Sequence, residues 1–311
     1  MTLSLGDGRP ILAFDVGGTD IKSALFDADG RALGVERTPT PLAGSETPVA
    51  LTARLAELAA DLTSRFPRTT PTAAGVIVPG IVDSTRGIGV YASNLGWHDA
   101  PIRDLASGAL GMPVAFDHDV RAAAWAEHLM GGARAFDDVF VMVIGTGIAG
   151  SLIVDGRLHP AGGYAGEIGH SPVAGGSECP CGAYGCLETV ASAGAIARRY
   201  SELSGEPVDG AREVFARAAA GDATATAVVD AAIDALVLSL AQLTAMLAPQ
   251  AVVIGGGLSR AGDALFEPLR TRLDARLSFH RRPHVVPAQL GEDAGLLGAA
   301  IIARERSAAA A

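Results

Sequence analysis

Cysteine, lysine and uninterrupted apolar sequence are all scarce in this 311-residue chain. Three cysteines cannot all pair, so a disulfide framework is not expected. Lysine is rare and the net charge is −10, whereas a nucleic-acid partner requires a basic surface that neutralises phosphate. The most apolar stretch, 227–248, is interrupted by Asp230, Asp234 and Gln242. It therefore predicts a buried helix and no membrane partner.

The first ten residues include Asp7 and Arg9 and lack an apolar run, so we expect no signal peptide. With reduced thiols, this indicates a cytoplasmic protein. The length allows one large domain or two ordinary domains, each with a real core.

The three cysteines lie within eight residues, at Cys179, Cys181 and Cys186, and His170 precedes them by nine positions. Three thiols and one imidazole are the ligand set of a closed tetrahedral zinc site. The alternative is a free buried thiol or a disulfide, but the clustering favours a metal. Because protein groups would fill all four positions, this zinc should shape a loop and not activate water.

One pattern occurs twice: strand, glycine turn with threonine, strand, acidic turn. Such a weak internal repeat favours a duplicated fold with one phosphate-binding turn per lobe, although two hairpins can be similar by chance. The strands are predicted at 11–14 and 21–26, then at 139–144 and 151–154. Helical patterns cover 47–66, much of 193–248, and 293–304 before a tail at 307–311.

The first turn contains Asp15, Gly17, Gly18 and Thr19, with Lys22 following. Glycines let backbone N–H groups approach a phosphate, and Thr19 adds a hydroxyl donor. Asp15 is placed where its carboxylate could hold magnesium through water. This is not a P-loop, because the Gly-Lys-Ser/Thr ending is missing. A tight hairpin that needs glycines for positive φ is the alternative.

Two further glycine-rich turns follow strands. The first is Gly145-Thr146-Gly147, within 145–150; it belongs to the repeat and strengthens the interpretation that these turns bind phosphate. The second is Gly255-Gly256-Gly257. It could bring the backbone close to a flat ligand such as adenine or ribose, although a sharp strand-to-helix turn fits equally well.

Asp119 stands between a short strand and a helix. It could be a general base facing a cleft, or an N-cap, which its position alone favours. Asn94 could bind sugar hydroxyls or cap a loop, and Trp97 could belong to the core.

Together these residues resemble the ROK family (repressors, unassigned reading frames and sugar kinases) of the actin-like ATPase superfamily. The resemblance runs from about Ile11 to Ala303. Its most specific element is Glu167-x-Gly-His170 followed by the cysteine loop and Glu188. It implies an α/β protein with a two-lobed actin-like ATPase (ribonuclease H-like) fold and a zinc-stabilised loop.

The resemblance also implies how the chain divides. A small lobe of 1–117 plus 298–311 would carry the first phosphate loop and part of the sugar site. A large lobe of 118–297 would carry the catalytic aspartate, the zinc loop and the adenosine loop.

The roles of single residues follow from the same resemblance. Asp119 matches the catalytic aspartate, which reverses the preference for an N-cap. Sugar binding is implied for Asn94, His118, Asp119, Glu167, His170 and Glu188. ATP and phosphate binding is implied for Asp15, Gly17, Gly18, Thr19, Lys22, Gly145, Thr146, Gly147, Gly255, Gly256 and Gly257. Zinc binding is implied for His170, Cys179, Cys181 and Cys186.

The chain departs from the family pattern in two places. The usual Asn-Asp-x-Asn reads His118-Asp119-Val120-Arg121, and Ala149 stands where glycine is frequent. Histidine can still offer one donor or acceptor to a hydroxyl. These changes bear on the identity of the sugar more than on the chemistry.

The expected function is therefore ATP-dependent phosphorylation of a hexose, with glucose converted to glucose 6-phosphate. Structural Zn²⁺ and ATP-associated Mg²⁺ are the expected cofactors, and a homodimer or homotetramer the expected assembly. The alternatives are an N-acetylglucosamine or N-acetylmannosamine kinase, polyphosphate as donor, a sugar-responsive regulator and a sensor without catalysis. Because the first strand begins at Ile11, we expect no DNA-binding domain before it.

Overall fold

A computed structural model describes residues 4–309 of the chain. Strands and helices alternate along most of it. The strands are β1 Ile11–Val16, β2 Asp20–Phe26, β3 Ala32–Pro39, β4 Ala74–Val78, β5 Ile81–Asp83, β6 Ile88–Ala92, β7 Trp97–Ala100, β8 Val114–His118, β9 Val139–Ile144, β10 Ile148–Val154, β11 Arg157–Leu158, β12 Ala251–Gly255 and β13 His284–Pro287. The helices are α1 Thr47–Arg65, α2 Ile102–Leu110, α3 Asp119–Met130, α4 Glu188–Ala191, α5 Ala193–Ser204, α6 Ala211–Ala219, α7 Ala223–Leu247, α8 Asp263–Arg276 and α9 Ala294–Ala309.

Contacts divide the chain into two compact units. Unit 1 runs to Leu129 and adds Pro160–Tyr164 and the chain from Glu292 onward. Unit 2 comprises Met130–His159 and Ala165–Gly291. Both units are α/β structures, as the sequence predicted.

The boundary between the units differs from the division at 117/118 and 297/298 that the resemblance implied. Nearly all of α3 belongs to unit 1, and two contacts join it to α9. The Trp125 indole N–H donates to Glu305 Oε1 at 2.9 Å, and Gly298 lies directly against the Ala122 carbonyl. Asp119 is therefore held by the unit that also contains Asp15.

Unit 1 is built on a five-stranded sheet in the order β3-β2-β1-β4-β8. β1 is antiparallel to β2 and parallel to β4, which is parallel to β8. Successive side chains point to opposite faces of a strand. Leu12 and Phe14 join the core formed with α1, whereas Asp15 points to the face covered by α9.

Unit 2 repeats this topology with the order β11-β10-β9-β12-β13. β9 is antiparallel to β10 and parallel to β12, which is parallel to β13. The two glycine turns thus join equivalent antiparallel strand pairs, β1–β2 and β9–β10. The repeat read from the sequence is present in the fold.

α7 is the one described helix long and apolar enough, by length and composition, to cross a membrane. Of its most apolar window, 56% is buried within the protein. It packs against α5, α6 and α8, and Arg272 of α8 donates to Asp234 at 2.9 Å and forms an ion pair with Asp230. α7 is therefore the core helix of unit 2 that the sequence predicted.

Several local predictions need correction. β10 starts at Ile148, because Ile148 to Gly150 pair with β9, so the second turn is shorter than 145–150. The helical region 193–248 is three helices, the first ending at Gly205 with φ of 76°. α9 continues to Ala309, through part of the predicted tail, whose last two residues lie outside the described range. The small sheet β5-β6-β7 was not anticipated.

Gly298→Ala should destabilise unit 1, because the added Cβ would overlap the Ala122 carbonyl oxygen on α3. We expect the free energy of unfolding to fall by about 1–3 kcal/mol, the usual cost of overpacking. Gly108→Ala in α2 is the matched control, since nothing lies within 4 Å of its added Cβ, and alanine there should be neutral or slightly stabilising. Chemical denaturation of both variants measures the difference, and equal stability would contradict the tight α3–α9 contact.

Candidate active site

The first glycine turn, at the end of β1, is held by hydrogen bonds to its backbone. Gly17 N donates to Asp20 O at 2.8 Å, and Thr40 Oγ1 donates to Gly17 O at 2.8 Å. The turn borders a polar cavity of about 490 Å³ lined by Asp15, Gly17, Asp20, Lys22, Arg37 and Glu292. A cavity with cationic side chains beside a glycine turn could accept phosphate oxygens.

Asp15 is an acid of this cavity with a strongly raised pKa. Burial raises its pKa to about 7, the charge of Asp119 adds to the rise, and Lys22 and Arg37 oppose it. Its carboxylate packs against Gly295 at the start of α9, where an added Cβ would overlap Oδ2. The carboxylate thus sits at a helix N-terminus in a site with few neutralising contacts, where a cation would favour its charged form.

Lys22 lines the same cavity, but its ammonium is engaged with the segment before α9. Nζ donates to Glu292 O at 3.2 Å and forms an ion pair with Asp293, and the side chain is 8% exposed. Lys22 therefore ties β2 to the start of α9. Arg37, half exposed and 3.5 Å from Asp20, is the more accessible cation of the cavity.

Asp119 is the first residue of α3. Its Oδ1 accepts from the next amide, Val120 N, at 2.7 Å, whereas an N-cap carboxylate accepts from the second or third amide of the helix. The side chain keeps 30% of its surface accessible. Loss of solvation raises its pKa to about 6, while backbone amides and Arg121 oppose the rise. A carboxylate with a pKa near the working pH is suited to accept a proton.

Two further sequence-predicted sugar residues lie in unit 1. Asn94 sits in the turn between β6 and β7, and its Nδ2 would be 2.9 Å from a Cβ added to Gly18. It therefore borders the first glycine turn. His118 ends β8, and its Nε2 lies 3.0 Å from Asp119 Oδ1. Trp97, in contrast, is buried in the core at 3% exposure, as one interpretation of the sequence had it.

The four predicted metal ligands of unit 2 converge. One donor atom from each of His170, Cys179, Cys181 and Cys186 lies within 4.8 Å of the others. Cys181 Sγ is 3.7 Å from Cys186 Sγ, and Cys179 Sγ is 3.7 Å from His170 Nδ1. Zn–S bonds of about 2.3 Å in a tetrahedron place sulfurs about 3.8 Å apart. The donor set and spacing therefore fit zinc.

Glu188 connects this cluster to the second glycine turn. Its Oε1 accepts from the Cys179 thiol at 3.4 Å, and its Oε2 accepts from Ile148 N at 3.3 Å. A Cβ on Gly147 would lie 2.8 Å from Oε2, so glycine lets the turn approach Glu188. His170 Nδ1 faces Cys179 and Glu188, while Nε2 lies 3.9 Å from Glu167 Oε2. The three sugar-binding candidates of unit 2 are thus neighbours.

The second turn also meets a helix start. Gly145 O accepts from Ala193 N, the first amide of α5, at 2.8 Å, and Ser192 caps that helix by accepting from Ala195 N at 3.0 Å. A capped helix N-terminus beside a glycine turn favours an anionic ligand.

A separate cavity of about 600 Å³ in unit 2 adjoins the third glycine turn. A Cβ on Gly256, where φ is 83°, would overlap the Ile144 carbonyl, so only glycine fits that position. Alanines, a leucine and Phe215 provide an apolar surface, and two arginines border it. The lining residues that sequence reasoning missed are Arg212, Phe215 and Arg260.

The structure thus groups the predicted residues within each unit. Asp15, the first turn, Asn94, His118 and Asp119 belong to unit 1; the second and third turns and the Cys/His cluster with its two glutamates belong to unit 2. Sequence reasoning missed Arg37, whose cavity partners are distant in sequence. It also missed Gly295, although a glycine inside a predicted helix was a visible signal.

The model of the ROK family matches residues 11–306. The chain belongs to this family.

Three relatives show how far the likeness extends. The chain is 33% identical to a glucokinase of Halalkalibacterium halodurans over 96% of each chain. It is 35% identical to an N-acetylmannosamine kinase of Shigella flexneri, over 94% of this chain and 98% of that one. A ROK family glucokinase from Streptomyces griseus, solved in complex with glucose and AMPPNP, is 30% identical, with a TM-score of 0.80 over 95% of this chain and 99% of that one. The fold is thus that of the ROK sugar kinases.

Asp15 should make stability depend on pH. Its folded pKa of about 7 exceeds the ordinary 3.8, so the folded state binds the proton more tightly, and stability is lost as pH rises through 7. Asp15→Asn removes this loss. The variant's stability advantage should therefore grow by about 2–3 kcal/mol between pH 4.5 and pH 8.

The measurement is urea unfolding of metal-free protein at both pH values. Asp29→Asn, which alters an exposed carboxylate between β2 and β3, should show no such growth. A pH-independent advantage for Asp15→Asn would contradict the raised pKa.

Proposed function

We propose that this protein is an ATP-dependent sugar kinase that transfers the γ-phosphoryl group to a hexose hydroxyl, with glucose as its first candidate substrate. The observation that carries the proposal is Asp119, a carboxylate at the start of α3 whose pKa burial raises to about 6. It shares unit 1 with Asp15 and the first phosphate turn. The kinship with glucokinases over nearly the whole chain supports the same reaction.

The reaction needs one proton transfer and one displacement. Asp119 accepts the proton of the sugar hydroxyl while that oxygen forms a bond to the γ-phosphorus. The bond between the γ-phosphorus and the bridging oxygen breaks, and ADP leaves with that oxygen. Phosphoryl transfer depends mainly on in-line positioning and on neutralising charge. The glycine turns and the cations of the first cavity serve the second requirement.

ATP is the donor that the chain's own surfaces favour over polyphosphate. The 600 Å³ cavity beside the third glycine turn offers apolar surface from Phe215 and Leu258, which an adenosine would use and a polyphosphate would not. The AMPPNP bound by the S. griseus relative agrees. Magnesium, when bound with ATP, neutralises phosphate charge, and Asp15 is the residue that would hold it through water.

Zinc is proposed as a structural cofactor held by His170 and the three cysteines. Since four protein donors would fill a tetrahedron, the metal would fix a loop and not activate water. The loop carries Glu188 and abuts Glu167, so the metal would orient both carboxylates toward sugar hydroxyls. His170 would bind the metal through Nδ1, the nitrogen that faces Cys179.

An N-acyl hexosamine is the alternative substrate, favoured by 35% identity to an N-acetylmannosamine kinase. A screen of glucose, mannose, N-acetylglucosamine and N-acetylmannosamine with ADP release as readout decides between them. Sugar binding without ADP release from any of these would contradict the kinase proposal and favour a sensor or regulator. We further propose a cytoplasmic homodimer or homotetramer, which light scattering tests.

Elemental analysis should find one zinc per chain. Cys181→Ser removes one thiolate and should lower zinc content, melting temperature and sugar affinity together, because metal ligation and folding are coupled. Tyr184→Phe is the control, since it changes an exposed side chain of the same loop and leaves the four donors intact. A metal-free wild-type protein that is stable and active would overturn the zinc proposal.

Asp119→Asn should reduce turnover by about two to four orders of magnitude, because the amide cannot accept the hydroxyl proton. Sugar and ATP should still bind, and the fold should persist. Asp104→Asn makes the same change in the first turn of α2, at an exposed position, and should leave turnover unchanged. Steady-state kinetics and calorimetric binding measure both, and an Asn variant with nearly full turnover would show that another group is the base.

A further inference from the structure

His118 stands where the family pattern has asparagine, and its side chain is directed at the neighbouring carboxylate. Nε2 lies 3.0 Å from Asp119 Oδ1, and the side chain is 12% exposed. We propose that His118 is a positioning residue for Asp119: its imidazole N–H holds one carboxylate oxygen so that the other can receive the substrate proton. The inference rests on the proposed kinase function.

The turn that carries His118 is held by a second departure from the family pattern. Arg121 Nε donates to Asp117 Oδ1 at 2.6 Å and an Arg121 amino group donates to Val82 O at 3.2 Å. Asp117 Oδ1 also accepts from His118 N at 2.7 Å. Arg121 is 4% exposed, so this ion pair is buried and its geometry is fixed by packing. The Arg121–Asp117 ion pair therefore fixes the position of the His118 backbone between β8 and α3.

Two nitrogens lie close to the same carboxylate oxygen. Val120 N donates to Asp119 Oδ1 at 2.7 Å, and His118 Nε2 lies 3.0 Å from that oxygen, where its N–H would be a second donor. We assign Oδ2 to the substrate hydroxyl. An oxygen held from two directions fixes the plane of the carboxylate, and a general base must lie within hydrogen-bond reach of its proton in a defined orientation.

The contact also bears on the basicity of Asp119. Hydrogen bonds to a carboxylate favour its charged form and lower its pKa, whereas burial raises it. The charged groups of unit 1 near Asp119 are Arg121 on its own helix, which lowers its pKa, and Asp15 on β1, whose own pKa Asp119 helps to raise. Asp117 on β8 is paired with Arg121. His118 is the donor whose removal leaves all of these in place.

The test compares His118→Ala with His118→Gln, because the glutamine amide can place a donor near the position of Nε2. In the alanine variant we expect kcat to fall about 10-fold or more, the usual scale for a lost hydrogen bond to a charged group. The acid limb of the kcat–pH profile should move up by about one unit, with KM for the sugar within about twofold. The glutamine variant should recover most of kcat and the original acid limb.

His98→Ala, at an exposed histidine of β7, is the control and should change none of these quantities. A rise in KM with unchanged kcat and acid limb would overturn the proposal, because it would make His118 a sugar ligand only. Equal defects in the alanine and glutamine variants would overturn it too, since a donor would then not matter.

A second readout separates this inference from the kinase proposal. Carbon-13 NMR of aspartate carboxyls follows the titration of Asp119, assigned by the loss of its signal in Asp119→Asn. Its pKa should rise in His118→Ala and return in His118→Gln whether or not any sugar is phosphorylated. An inactive wild type would refute the kinase proposal alone, whereas an unmoved Asp119 titration in His118→Ala would refute the role of His118.

Discussion

Two poorly solvated carboxylates, those of Asp15 and Asp119, lie at one edge of the sheet of unit 1, and the rest of that unit depends on accommodating them. Asp15 lies near the carboxyl end of β1 and Asp119 just beyond the end of β8, and β4 lies between these parallel strands. The carboxyl ends of parallel strands meet at one sheet edge, where ligands of α/β proteins usually bind. Loss of solvation raises the pKa of both carboxyls, and the charge of Asp119 adds to the rise at Asp15. Burying these two charged carboxylates therefore costs folding free energy, and the cations Lys22, Arg37 and Arg121 offset part of that cost.

Unit 2 depends on a different constraint, the ordering of a glycine-rich loop that contributes few side chains to the hydrophobic core. Glu188 is central to it, since one oxygen meets Cys179 and the other meets the amide of Ile148. A carboxylate so placed links the Cys/His cluster to the second glycine turn through a single side chain. The order of the loop and the geometry of that turn are consequently coupled, so a change in the cysteine cluster should also alter the turn.

Local sequence patterns predicted those features of the fold and site that depend on residues close together in the chain. Glycine turns, a Cys/His cluster and strand–helix junctions are determined by residues a few positions apart. The three turns, the clustering of the cysteines with His170 and the position of Asp119 at a strand–helix junction could therefore be predicted from the sequence. Contacts between distant segments could not. Lys22 follows a glycine turn and seemed directed at phosphate, yet it pairs with Asp293, 271 positions away. Arg37 lines the cavity beside Asp15, and Gly295 packs against the Asp15 carboxylate, and both contacts join segments that are distant in sequence. The boundary between the units also differs from the expected division at 117/118, because it depends on contacts between distant segments that no local pattern shows.

The two departures from the family pattern, His118 and Arg121, are best understood as one change. Arg121 is buried with Asp117, and removing one member of a buried ion pair leaves an uncompensated charge, which costs far more than the pair contributes. Asparagine at position 121 alone would thus leave the Asp117 carboxylate buried without its cation. It would also loosen the backbone of His118, because Asp117 accepts a hydrogen bond from the His118 amide. Restoring asparagine at 118 alone would keep the Arg121–Asp117 ion pair but shorten the reach toward Asp119. Neither single reversion recreates the family's arrangement, and their effects should not add, because both residues act through Asp117 and the same turn. The geometry of the Asp119 carboxylate is therefore a property of the segment 117–121 as a unit.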